Sequence, residues 1–120
     1  MRPPEVLANL FDVERACGLL ERFTRDRSFE EYTADDLLRS AVERQFEIVG
    51  EALRRALEAE PRLSGVISDT GRIVAFRNRL IHGYASVSAH VVWGVLEANL
   101  PTLHREVRAL LDESGGPAKA

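Results

Sequence analysis

A chain of 120 residues sets a single domain as the expectation. With 45% hydrophobic and 29% charged residues it can build a core, which excludes global disorder. The formal net charge of -3 excludes a protein that coats nucleic acid through bulk charge, so any such site must be a local basic patch.

The elements read in chain order as helices. Pro3 and Pro4 suit the entry to a first helix. Val6, Leu10, Val13, Cys17, Leu20 and Phe23 then recur at three- and four-residue steps, one apolar stripe. Residues 24–32 are polar and break the pattern. Thr33 is placed to cap a second helix, with Asp35 and Asp36 complementing the positive end of its dipole. Its apolar set is Leu37, Leu38, Ala41, Val42, Ile48, Val49, Ala52, Leu53, Ala56 and Leu57, and Pro61 closes it. Gly50 lies inside this helix at a cost of roughly 1 kcal/mol relative to Ala, which a close approach by another backbone would explain.

Residues 62–70 read as a connector. A third helix buries Ile73, Val74, Phe76, Leu80 and Ile81, and Gly83 fits just past its end. Ser86 or Ser88 caps a fourth helix with Val91, Val92, Val95 and Leu96. Pro101 either kinks that helix or starts a fifth with Leu103, Val107, Leu110 and Leu111. The expected architecture is an all-α bundle of four to five helices over residues 1–112, with a disordered tail at 113–120. Apolar stripes this broad in a small chain also favour a dimer.

Cys17 is the single cysteine, so no intrachain disulfide forms, and its place in the first stripe makes it a core residue. No His/Cys cluster suggests zinc. No apolar run approaches the ~20 residues of a membrane span, and the N-terminus lacks the apolar stretch of a secretory signal. A soluble cytoplasmic protein is expected. Trp93 is expected in the core or an interface, and His90 and His104 at the surface.

The segment Arg77-Asn78-Arg79-Leu80-Ile81-His82-Gly83-Tyr84 concentrates the chemistry. Arg77 supplies a planar donor fork for phosphate, and His82 can hold or release a proton near neutral pH. Five residues separate them, about 140° around an ideal helix, so they converge only if the helix ends near His82 or a second subunit supplies half of the site. Asn78 and His82 share a face. These types suit metal-free RNA cleavage, in which the 2′-OH attacks the adjacent phosphodiester: His82 as acid or base, Arg77 on the developing charge, Asn78 as an orienting group. A structural reading stays open. His82 suits the negative end of a helix dipole, Arg77 can pair with Glu47 or Glu51, and Tyr84 can fill the core.

The segment resembles the R-x4-H-x-Y motif of HepT-like proteins in the HEPN superfamily, with Arg77, His82 and Tyr84 at its three positions and Asn78 at the Asn that commonly follows the Arg. Ile48-Val49-Gly50-Glu51-Ala52 is similar to that family's Ile-Gly-Glu-Ala stretch, with Val49 in the Ile position. Val92-Trp93 and Leu100-Pro101-Thr102-Leu103 resemble its closing helix. The likeness covers residues 5–112. It implies a HEPN bundle that forms a homodimer, with both motifs lining one cleft. It implies the toxin of a type VII toxin–antitoxin system, a ribonuclease with Arg77 and His82 as its active residues. The partner would be an MNT-class nucleotidyltransferase antitoxin that transfers AMP from ATP to Tyr84. ATP and magnesium then belong to the partner, and this chain needs no cofactor. Arg72, Arg77 and Arg79 would give RNA and AMP a local positive charge. From its place on the second helix, Glu51 either holds Arg77 or is an ordinary surface glutamate. Two other readings remain: an interaction module that docks a nucleotidyltransferase without chemistry, and a purely structural helical dimer.

Overall fold

A computed structural model of the chain describes residues 2–113, which form an all-α bundle. Six α-helices follow in order: α1 Pro4–Thr24, α2 Phe29–Ala34, α3 Asp36–Ala59, α4 Thr70–His82, α5 Ala89–Ala98 and α6 Leu100–Glu113. Short 3-10 turns at Pro61–Gly65 and Tyr84–Ser86 sit in the connectors on either side of α4. Of the expected tail at 113–120, residues 114–120 lie outside the described residues, and Glu113 closes α6 rather than belonging to a tail.

The long helices α1 and α3 form the main interface, α4 packs on α3, and α6 packs on α1 with α5 beside it. The α1 stripe of Val6, Leu10, Val13, Cys17 and Leu20 is buried as its spacing predicts. It meets Leu38, Val42, Phe46, Val49, Leu53 and Ala56 of α3, which recur at three- and four-residue steps. Burying one such leucine stabilises the fold by about 1.5–3 kcal/mol.

Several sequence expectations are corrected. The polar stretch after α1 contains α2, a helix of one and a half turns held by a capping box. The Ser28 hydroxyl accepts from Glu31 N–H at 3.1 Å, and Glu31 Oε1 accepts from Ser28 N–H at 2.8 Å. Thr33 therefore lies inside α2, where its hydroxyl donates to the Glu30 carbonyl. Asp35 is the residue that caps α3, its Oδ1 accepting from Leu38 N–H at 3.0 Å. Leu37 is 81% exposed, because it lies one residue, about 100°, out of phase with the buried row that starts at Leu38. Phe46, Leu63 and Ile67 join the core, the last two from the irregular connector. Of the alternatives the sequence left open, Ser88 caps α5 by accepting from Val91 N–H, and the helix breaks for one residue at Asn99, so α6 is a separate helix from Leu100 with Pro101 in its first turn.

The connector into α4 is tied to the C-terminal helices. Ser68 gives both its N–H and its hydroxyl to Glu106, each at 2.8 Å. Asp69, at φ 57° in the left-handed region, accepts from Asn99 at 3.3 Å. These bonds fix where α4 starts, and so the height at which its last turn stands.

Candidate active site

Helix α4 is placed by Ile73, Phe76 and Leu80, buried at steps of three and four, with the Phe76 ring edge-on to Phe46 of α3 at 5.2 Å. Arg77 follows Phe76 and flanks that buried row, so its side chain is only 20% exposed. Asn78, Arg79 and His82 turn outward and are exposed. Gly83 ends the helix by donating its N–H to the Arg79 carbonyl at 2.8 Å, with φ at -143°, outside the left-handed region.

The stem of Arg77 crosses α3 at Gly50. A Cβ built on Gly50 would overlap Cβ and Cγ of Arg77. The close approach expected at this glycine is therefore made by a side chain rather than by a backbone. The next residue, Glu51, takes the head group: its Oε1 lies 3.1 Å from a terminal nitrogen of Arg77. Of the two carboxylates the sequence offered, Glu51 is the partner, and Glu47 pairs with Arg44 at 3.2 Å instead. The other terminal nitrogen of Arg77 donates to Asn78 Oδ1 at 2.9 Å. Its Nε is shut off from solvent and finds no partner among the described residues.

Glu51 is itself a hub. Arg54 donates to it from two nitrogens at 3.1 and 3.0 Å, and Arg55 donates at 2.9 Å. The Arg54 hydrogen bonds, then those of Arg55 and the nearby Arg54 and Arg77 charges, draw its carboxyl down to about 2 against the desolvation that opposes them. Glu51 is ionised at any pH where the protein works. Beside it opens a cleft of about 200 Å³ whose charged lining is Asp12, Glu47 and Glu51 against Arg44, Arg55 and Arg77. Ile48, Ala52 and Ile81 supply its apolar wall. The charges balance, so the cleft carries no broad positive field.

Helix α4 runs through His82, so the wide angle between Arg77 and His82 stands within one chain. The His82 side chain makes no hydrogen bond or ion pair among the described residues. The Tyr84 backbone opens the 3-10 turn after α4, and its side chain lies outside the described part of the structure. Trp93 packs against the core beside Tyr32 and Phe29, and His90 stacks on Phe29 at 4.3 Å at the surface. His104, expected at the surface, is buried between two carboxylates of α1. Among the described residues, no group of three or more His, Cys, Asp or Glu side chains is placed to hold a metal ion, and no helix is long and apolar enough to cross a membrane.

Comparison with known proteins gives one family. The family model described as Ribonuclease HepT-like matches residues 13–110. The Probable ribonuclease HepT of Thermococcus cleftensis is 34% identical over 94 residues, 78% of this chain and 84% of that protein. A candidate RNase of Methanocaldococcus jannaschii is 29% identical over 107 residues, 89% of this chain and 97% of that protein. One from Caldanaerobacter subterraneus subsp. tengcongensis is 30% identical over 97 residues, 81% of this chain and 86% of that protein. No solved structure matches significantly.

Proposed function

The chain belongs to the HepT-like ribonuclease family, and from that premise we propose that it is an endoribonuclease acting as the toxin of a toxin–antitoxin pair. The observation that carries this reading is that the family match spans Arg77, His82 and Tyr84 in the R-x4-H-x-Y spacing. In the proposed reaction His82 takes the proton of a ribose 2′-OH, whose oxygen attacks the adjacent phosphorus. Arg77 donates to the non-bridging oxygens as negative charge builds on them. The bond to the 5′-oxygen breaks, and that oxygen takes up a proton. The products are a 2′,3′-cyclic phosphate and a 5′-hydroxyl, and the chain's own residues suffice without a cofactor.

The protein is proposed to act as a homodimer, because Arg77 and His82 diverge on one helix and a second copy can bring the missing half. Its proposed partner is an MNT-class nucleotidyltransferase that uses ATP and magnesium to place AMP on the Tyr84 oxygen, releasing pyrophosphate. The added phosphate would compete for the Arg77 fork, and the nucleotide would block RNA.

Purified protein and its His82→Ala and Arg77→Ala variants, each checked for fold by circular dichroism, test the assignment on RNA with end-group analysis. Loss of cleavage by about a hundredfold or more in each variant is expected. A fully active His82→Ala protein would remove His82 from the reaction. Intact RNA beside a stable complex with the nucleotidyltransferase would replace this reading by that of a binding module.

A further inference from the structure

We propose that Gly50 and Glu51 of α3 are positioning residues for Arg77, which they fix as a rigid end-on fork for one phosphate. The inference rests on the ribonuclease reading for the source of that phosphate, and on geometry for the fork.

A guanidinium carries five N–H donors, one on Nε and two on each terminal nitrogen. Here Nε is closed off from solvent. One terminal nitrogen donates to Asn78 at 2.9 Å, and the other lies 3.1 Å from Glu51 Oε1 in an ion pair. At least one N–H on each terminal nitrogen is left. That pair matches two non-bridging oxygens of a phosphodiester. Side-on binding through Nε is denied by its burial.

The seat is rigid on both sides. Gly50 lets the stem of Arg77 lie directly on α3, where any Cβ would collide with atoms next to the α4 backbone rather than with a flexible tip. This contact explains a glycine in a helix interior, where it costs roughly 1 kcal/mol relative to Ala. Arg54 and Arg55 bond the same carboxylate and hold Glu51 toward Arg77. Three guanidinium groups share that one acid, so Glu51 orients Arg77 without cancelling the local positive charge. A fork held before substrate arrives loses little freedom on binding, and such pre-orientation speeds the chemical step.

The test uses the full chain and its Glu51→Gln and Gly50→Ala variants, with two readouts. The first is RNA cleavage resolved into kcat and KM. The second is the Arg77 Nε–H signal in a 15N spectrum, assigned by its loss in Arg77→Lys and followed during titration with inorganic phosphate. Glu51→Gln should stay folded and lose kcat roughly tenfold to a hundredfold with little change in KM, as expected for a misplaced group. Its Nε–H signal should shift or broaden and respond weakly to phosphate. Gly50→Ala should behave alike if it folds, and Glu51→Gln decides alone if it does not. Wild-type kcat together with an unmoved Nε–H signal in Glu51→Gln overturns the proposal and makes the ion pair a helix-packing contact only. Should the unaltered protein cut no RNA, the ribonuclease reading fails, and the phosphate titration judges the seat by itself: an equal response in both proteins overturns it.

Discussion

His104 shows how far one side chain can depart from its expected setting. Where α6 crosses α1, its Nε2 lies 2.8 Å from Glu14 and its Nδ1 lies 2.9 Å from Glu21. Two acceptors on two ring nitrogens are both satisfied only by the doubly protonated ring. Burial opposes that charge, but the hydrogen bonds to Glu14 and Glu21 outweigh it and hold the pKa above the ordinary 6.5. A pKa raised by folding contributes stability that is complete below 6.5 and fades as pH rises through the folded value. Urea unfolding across neutral and alkaline pH should therefore show the unaltered protein losing stability more steeply than His104→Gln. Parallel curves would mean that the ring is neutral in the fold. The neighbouring Cys17 thiol is pushed far up by burial and then by Glu21 and Glu14, which makes it an inert core group rather than a nucleophile. The sequence held a signal for His104: it stands four residues after Leu100 and three before Val107, on the buried face of α6.

At the scale of elements, α2 depends most on a few local bonds. Six residues give little helix of their own, so the Ser28–Glu31 box and the burial of Tyr32 carry it. Ser28→Ala should lower stability by about 1 kcal/mol, seen as a reduced Tm followed by the fluorescence of Trp93. That residue is the chain's single tryptophan, and its ring lies 5.3 Å from Tyr32. An unchanged Tm would show that packing alone holds α2. The same helix marks the limit of periodicity. The stripes of α1, α3, α4 and α6 repeat often enough to be read from sequence, whereas α2 ends before a stripe can repeat and is legible only through its Ser-x-x-Glu. Leu63 and Ile67 are buried by contacts distant in sequence, which no local pattern carries. The candidate site divides in the same way. Arg77, His82 and Tyr84 stand out as a motif. The crossing of Arg77 over Gly50 and its choice of Glu51 over Glu47 depend on how α3 and α4 pack, which sequence spacing does not fix.

For the whole molecule, the question is how a neutral cleft and a divided motif make one site. The chain carries a net charge of -3, and the lining beside Arg77 balances acid against base, so in the proposed reaction a single subunit should hold RNA weakly and with a shallow salt dependence. Ile81 is 39% exposed between Leu80, which faces the core, and His82, which faces solvent. In the proposed homodimer an apolar contact there would bring the last turns of two α4 helices together. Arg77 of one subunit could then serve His82 of the other. Mixed subunits test this. Arg77→Ala and His82→Ala proteins are each expected to be inactive alone. In a mixed dimer, one site combines both lesions, and the other combines the intact Arg77 of one subunit with the intact His82 of its partner. Random exchange makes half of the dimers mixed, each with one of two sites whole, so the mixture should regain about a quarter of the unaltered activity. The measurement is RNA cleavage after co-refolding the two variants, with each refolded alone as the control. A mixture as inactive as its components would place Arg77 and His82 in one subunit's site, and the last turn of α4 would then have to unwind to bring them together.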